Sequence, residues 1–222
     1  LWLGQDFCRQ LRWQARSLQG VSERGFGAEI AASGAQSLRL IVAITGASGA
    51  VYGKRLLEVL HEKGVETHLI VSRAADKVIE QELGMDKKGL AKLAAHAYGI
   101  DDLGAPFVSG SFKTDGMVII PCSMKTVAGI ASGYSDNLIL RAADVTLKEG
   151  RKLVVVPREA PLSLVHLQNL LRVAMLGAVV VPAMPAFYHK PKSIDDLVDF
   201  VVGKVLDYLG VEHQLFKRWT GL

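Results

Sequence analysis

The sequence predicts a doubly wound α/β domain: a parallel sheet with helices on both faces. Three observations carry this. Short β-branched apolar runs recur along the chain, a stretch with helical periodicity follows each, and the first run opens into a glycine turn, ITGASGA at 44–50. The runs are nearly continuous in apolar residues instead of alternating, as strands buried on both faces must be. With 222 residues, 50% of them hydrophobic, and a mean hydropathy of +0.24, the chain can bury one sizeable core.

The elements follow in order. LRLIVAI (38–44) forms the first strand, and the helical period of 50–63 begins as soon as the glycine turn is complete. THLIV (67–71) is the second strand, followed by a helix over 73–83. MVIIP (117–121) is the third, with helices over 124–132 and 137–149 behind it. LVVV (153–156) and VVV (179–181) are the remaining strands, with helices over 163–175 and 194–209. Residues 1–37 differ: no strong strand, and Arg9, Arg12, Arg16 and Arg24 scattered among Asp6, Glu23 and Glu29. A transit peptide is poor in acids. The segment is expected to be a poorly ordered extension, with one domain over 38–222.

Net charge is +4 and the isoelectric point about 9.1, but the basic residues are dispersed among 22 acidic ones. That suits a phosphate-bearing small molecule and not a nucleic-acid groove. Cys8 and Cys122 show no CxxC or Cys/His spacing, so neither a disulfide framework nor a zinc site is indicated. A reducing, cytoplasmic location is expected. The longest uncharged stretch, 173–187, contains Gly177, Pro182 and Pro185 and is too short to span a membrane.

In open parallel sheets, ligands bind outside the carboxyl ends of the strands. Those ends carry Gly46-Ala47-Ser48, Ser72, Cys122-Ser123, Arg158-Glu159, and the segment from Pro185 to Tyr188. Loops are polar anyway, yet hydroxyl, cationic and carboxylate groups at five consecutive strand ends point to a composite site. The glycine loop is not a dinucleotide fingerprint. GxGxxG needs glycines at 46, 48 and 51, where the chain has Gly46, Ser48 and Val51. Nor does the second strand end in the acid that grips a ribose diol; Ser72 stands there. What remains is a turn opening a helix, with backbone N–H groups and the Ser48 hydroxyl, which fits a single phosphate or a flavin edge.

Five segments are more specific: TGASGAVYG (45–53), SRAA (72–75), SGSFKTDGMVIIPCSMKT (109–126), RAADVTLKEGRKLVVVPREAP (141–161) and PAFYHKP (185–191). In this order and spacing the chain, from about Leu38 to Leu222, resembles the flavin prenyltransferases, the UbiX family, once described as aromatic-acid decarboxylases. The resemblance implies a flavodoxin-like (Rossmann-like) fold and a metal-independent transferase. Such an enzyme joins a dimethylallyl group, from dimethylallyl phosphate, to N5 and C6 of reduced FMN. It further implies a UbiD-type decarboxylase as recipient of the prenylated FMN, a role in ubiquinone biosynthesis, and assembly as a dodecamer.

By motif position the resemblance implies FMN contacts at Gly46, Ala47, Ser48, Ser72, Ser123, Met124, Lys125, Thr126 and Arg158. Arg141, Lys148, Arg158, Tyr188 and Lys204 become the prenyl-phosphate site, and Glu159, Ser48, Glu82 and Tyr188 the catalytic group, Glu159 carrying protons. Plainer readings stand beside these. Ser123 and Thr126 also fit N-capping. Arg141, Asp144 and Lys148 also fit a solvated helix ladder, and Glu82 a surface charge. Glu159 ends a buried strand, where desolvation raises a carboxyl pKa and Arg158 lowers it. His166 and His189 lack a third ligand at suitable spacing and imply no metal. Cys122 is either a thiol with lowered pKa or a buried filler.

Three rival functions remain: a non-catalytic FMN carrier, a cysteine decarboxylase of similar fold, and an NADP-dependent reductase. The reductase would use Ser72-Arg73 and the YxxxK spacing of Tyr188 and Lys192. Pro191 breaks the helix that motif requires.

Overall fold

A computed structural model describes residues 38–221; the extension expected over 1–37 lies outside the described residues. Six strands, β1 (Arg39–Ile44), β2 (Glu66–Val71), β3 (His96–Tyr98), β4 (Gly116–Cys122), β5 (Lys152–Pro157) and β6 (Val179–Val180), form one sheet in the order β3-β2-β1-β4-β5-β6. Every pairing is parallel. The helices are α1 (Ala50–Glu62), α2 (Arg73–Leu83), α3 (Lys87–Ala91), α4 (Met124–Ser132), α5 (Leu138–Lys148), α6 (Leu164–Met175) and α7 (Ile194–Leu209). From β1 the chain winds outward through β2 and β3, then returns to β4 and winds the other way. The crevice between the carboxyl ends of β1 and β4 is therefore the topological switch point, where such sheets bind ligands.

The strands read as unbroken apolar runs because alternate residues feed two cores. Leu40, Val42, Ile44, Val118, Ile120, Val154 and Val156 pack under α1, α2 and α7. Ile41, Ala43, Met117, Ile119, Leu153 and Val155 pack under α4 and α5 on the opposite face. Local chemistry sets the helix ends. The side chains of Ser72, Ser123, Asn137, Ser163 and Ser193 each accept from a first-turn N–H. The expected helix boundaries agree with the observed ones to within one residue.

The reading of residues 84–115 did not foresee α3 or β3. β3 has three residues, two of them exposed, too few for period-2 alternation to register. It is held laterally instead. His68 of β2 pairs in register with His96, its Nδ1 lies 2.9 Å from the Tyr98 hydroxyl, and its Nε2 lies 3.2 Å from Glu66. Burial pushes the His68 imidazole below its ordinary pKa range, against the pull of Glu66. Glu66, His68 and His96 bring ligand-type atoms within 4.8 Å of one another, but at the amino ends of the strands, where Arg39 already binds Glu66 at 2.8 Å. Among the described residues no helix is long and apolar enough to cross a membrane.

Candidate active site

The switch-point crevice is built around a residue the sequence reading left out. Thr45, the first residue past β1 and 2% exposed, donates its hydroxyl to the Pro121 carbonyl at 2.8 Å. The same oxygen accepts the Ser123 N–H at 2.7 Å. One side chain thus fixes the end of β1 to the end of β4 and sets where α4 begins. Its signal in the sequence was slight: a threonine ahead of Gly46 looks like the end of a strand. Thr45→Val keeps the shape and strands the partly buried Ser123 N–H, so it should lower unfolding stability by about 1–3 kcal/mol, read from denaturant midpoints.

The glycine loop is close-packed. A Cβ on Gly46 would stand 2.5 Å from that of Ala74, at the start of α2. Gly49 sits at φ 107°, in the left-handed region that favours glycine. Ala47 is buried and Ser48 exposed.

Glu82 is not the free surface charge the plainer reading allowed. From the last turn of α2 its Oε2 accepts the N–H groups of Gly49 and Ala50, each at 2.9 Å. Partial burial raises its pKa, but the Ser48 hydroxyl, those two N–H donors and the nearby Arg158 charge outweigh it and hold the carboxyl below its ordinary range. A depressed folded-state pKa gives stability that is complete above the unfolded value near ~4.3 and vanishes as pH falls through the folded value. Glu82→Gln should therefore lower the melting temperature at pH 7 and flatten its decline below about pH 4.3, measured by thermal scans across pH.

This finding corrects one expectation. The Gly49 and Ala50 N–H groups at the start of α1 are not free for a phosphate, because Glu82 occupies them. At α2 the Ala75 N–H goes to Ser72, and at α4 the Thr126 N–H goes to Ser123. The capping reading of Ser123 holds, and its Oγ also lies 3.1 Å from Thr126 Oγ1. Among the described residues the N–H groups of Met124 and Lys125 have no partner. Met124 is buried and Lys125 exposed. Arg158 completes the rim: its Nε donates to the Ser48 carbonyl at 3.2 Å. Beneath lies Cys122, fully buried, its thiol pKa pushed up by burial. It is a filler and not a reactive thiolate.

Ser48, Ser72, Ser123, Thr126, Arg158 and Glu82 thus meet around one crevice. Glu159, next to Arg158, is exposed within the chain; its Oε1 accepts the Ala160 N–H at 3.0 Å. Arg141 pairs with Asp144 at 2.9 Å, as the ladder reading has it. Lys148 turns away to Glu149 at 3.0 Å and lines a groove of about 390 Å³ between α4, α5 and α6. Tyr188 and Lys204 belong to a third region. Tyr188 packs edge-on against Trp219 at 5.5 Å, a tail residue the sequence reading missed, and Lys204 lies 3.8 Å from Asp207. His166 serves the Ser163 capping box. Tyr188 and Lys192 sit in irregular chain ahead of α7, which removes the helix a reductase motif requires.

Residues 30–206 match the family model described as Flavoprotein. The chain is 53% identical over 182 residues to the flavin prenyltransferase UbiX of Methanocaldococcus jannaschii, covering 82% of this chain and 98% of that protein. The chain belongs to the flavin prenyltransferase family. The flavin prenyltransferase LpdB of Lactiplantibacillus plantarum is also 53% identical, over 82% of this chain and 98% of that one. Among solved structures, AnUbiX (PadA1) in complex with FMN and dimethylallyl pyrophosphate aligns with a TM-score of 0.83 and 48% identity, over 84% of this chain and all of that one. A dodecameric FMN-dependent UbiX-like decarboxylase from Escherichia coli O157:H7 aligns at 0.81 and 52% identity, over 83% and 100% of the two chains. The cysteine decarboxylase TvaF, at 17% identity and 0.56, shares the fold alone. Its likeness adds nothing to the decarboxylase rival, whereas the flavin prenyltransferase family accounts for nearly the whole described chain.

Proposed function

We infer that the switch-point crevice joins a dimethylallyl group from dimethylallyl phosphate to N5 and C6 of reduced FMN. The observation that carries the reading is the convergence of Ser48, Glu82 and Arg158 at one strand-end crevice in a chain of the flavin prenyltransferase family. The residues present fit a flavin phosphate: hydroxyls at Ser72, Ser123 and Thr126, unpartnered N–H groups at Met124 and Lys125, and Arg158, whose Nη atoms have no hydrogen bond among the described residues. Reduced FMN, when bound, supplies the nucleophilic N5 and C6.

The protein's own part is electrostatic and positional. Arg141, Lys148, Arg158, Tyr188 and Lys204 hold the prenyl phosphate and stabilise charge on it as the C–O bond breaks. Lys204 holds it as a point charge without bidentate geometry. Glu159 carries the proton released on ring closure. Ser48 lies on the Glu82-anchored loop, so Glu82 acts by fixing that loop.

Within one chain the phosphate residues lie in separate regions, and this supports a site completed by a neighbouring copy. Leu164, Leu167, Leu171 and Met175 of α6 are 50–70% exposed, a run of apolar surface that a lone subunit rarely leaves in water. The groove beside it contains Lys148. Assembly as a dodecamer, cytoplasmic residence, and delivery of the product to a UbiD-type decarboxylase belong to this proposal.

The test is to incubate the protein anaerobically with reduced FMN and dimethylallyl phosphate and weigh the flavin by mass spectrometry. A gain of one five-carbon unit is expected. Unchanged, tightly bound FMN would make the protein a carrier, and NADPH turnover a reductase.

A further inference from the structure

At the amino ends of β2 and β3, on the opposite side of the sheet's strand ends from the crevice, Glu66, His68 and His96 form a cluster that prenyl transfer does not use. Glu66 and His68 stand two apart on β2 and so share a face of the sheet. His96 is the in-register neighbour of His68 on β3, and the two rings stack with centroids 4.9 Å apart. All three side chains therefore meet on one face.

Their spacing is close to that of a metal's ligands. Glu66 Oε1 lies 3.2 Å from His68 Nε2 and 3.8 Å from His96 Nε2, and ligand-type atoms of the three residues all fall within 4.8 Å of one another. Ligands held tetrahedrally at zinc distances stand roughly 3.3–3.4 Å apart. His96, whose side chain is 53% exposed, has the room to move in.

Hydrogen bonding alone accounts poorly for this arrangement. At 3.8 Å His96 makes no hydrogen bond to Glu66, and the 3.2 Å contact of His68 stands at the long end of the range. His68 is 2% exposed, its ring held edge-on by Phe107 and Phe112, with Nδ1 2.9 Å from the Tyr98 hydroxyl. A metal-bound histidine characteristically donates its other ring N–H to such a partner. When Nδ1 donates, Nε2 turns a lone pair toward the carboxylate oxygen, and a cation between them joins the two. Arg39 leaves that place open. Its Nη2 takes Glu66 Oε2 at 2.8 Å and its Nη1 donates to the Lys113 carbonyl at 3.1 Å, so Oε1 stays directed at the imidazoles. The guanidinium charge weakens the attraction for a cation, and the affinity expected is micromolar.

We propose that Glu66 Oε1, His68 Nε2 and His96 Nε2 bind a divalent transition metal of the zinc type, with water as the fourth ligand on the open side of His96. Two imidazoles and a carboxylate suit zinc or cobalt; magnesium and calcium take oxygen ligands. The metal clasps the three-residue edge strand β3 to β2. It serves the fold and leaves prenyl transfer alone.

The test adds zinc or cobalt(II) to the full, untagged chain after chelator treatment. Calorimetry should show one ion per chain, cobalt(II) should give the visible absorption of a four-coordinate site, and saturating zinc should raise the melting temperature while magnesium does not. His96→Ala, shown to be folded by circular dichroism, should bind about tenfold or more weakly and lose the thermal gain. His61→Ala, at an exposed histidine outside the cluster, should change neither. No uptake of either ion, or binding that His96→Ala leaves unchanged, overturns the inference. Loss of prenyl transfer on chelation overturns it as well, by tying the metal to the reaction.

Discussion

Glu159→Gln is expected to bind FMN as well as the unaltered chain and to slow prenyl transfer by about a hundredfold or more. Glu159 follows Arg158 at the carboxyl end of β5, so the substitution changes no strand pairing and no buried contact. Its Oε1 accepts the Ala160 N–H at 3.0 Å, a bond the glutamine oxygen can reproduce. What glutamine cannot do is take up and return a proton, and closing a ring on the flavin must release one. The measurement is single-turnover conversion followed by flavin mass, with FMN affinity determined separately. Ring closure at an undiminished rate would take Glu159 out of the mechanism. Loss of FMN binding would make it a cofactor contact.

The second large effect concerns assembly. Lys148→Ala should slow transfer by about a hundredfold, as the loss of one donor to a developing oxyanion does. Subunits carrying Lys148→Ala, co-assembled with subunits carrying Glu159→Gln, should recover activity that neither has alone. The geometry underlies this: Lys148 lines the groove between α4, α5 and α6, Arg158 is bonded to the Ser48 carbonyl, and Tyr188 packs with the C-terminal tail. In the proposed assembly, a neighbouring copy seated on the exposed face of α6 brings a second Lys148 to the site. Hybrids as inactive as their parents would place the whole site within one chain. Leu171→Asp, which puts a charge at the centre of that face, should disperse the assembly in sedimentation and reduce activity with it.

The sequence by itself determined five of the six strands and six of the seven helices of the described residues. Apolar runs such as LIVAI, punctuated by Ser72, Ser123, Gly84 and Gly133, record burial and backbone conformation, and both are written in neighbouring residues. The motifs at the strand ends marked the crevice for the same reason, since a parallel sheet presents all those ends on one side. Only the tertiary structure decided what those groups touch. Thr45 meets Pro121 across 76 positions of sequence, Glu82 reaches Gly49 across 33, and the buried ring nitrogens of His189 have no hydrogen-bond partner among the described residues although the sequence offers many. Periodicity reports which face a residue turns to, but a hydrogen bond joins particular atoms from distant segments, and strand order brings those segments together.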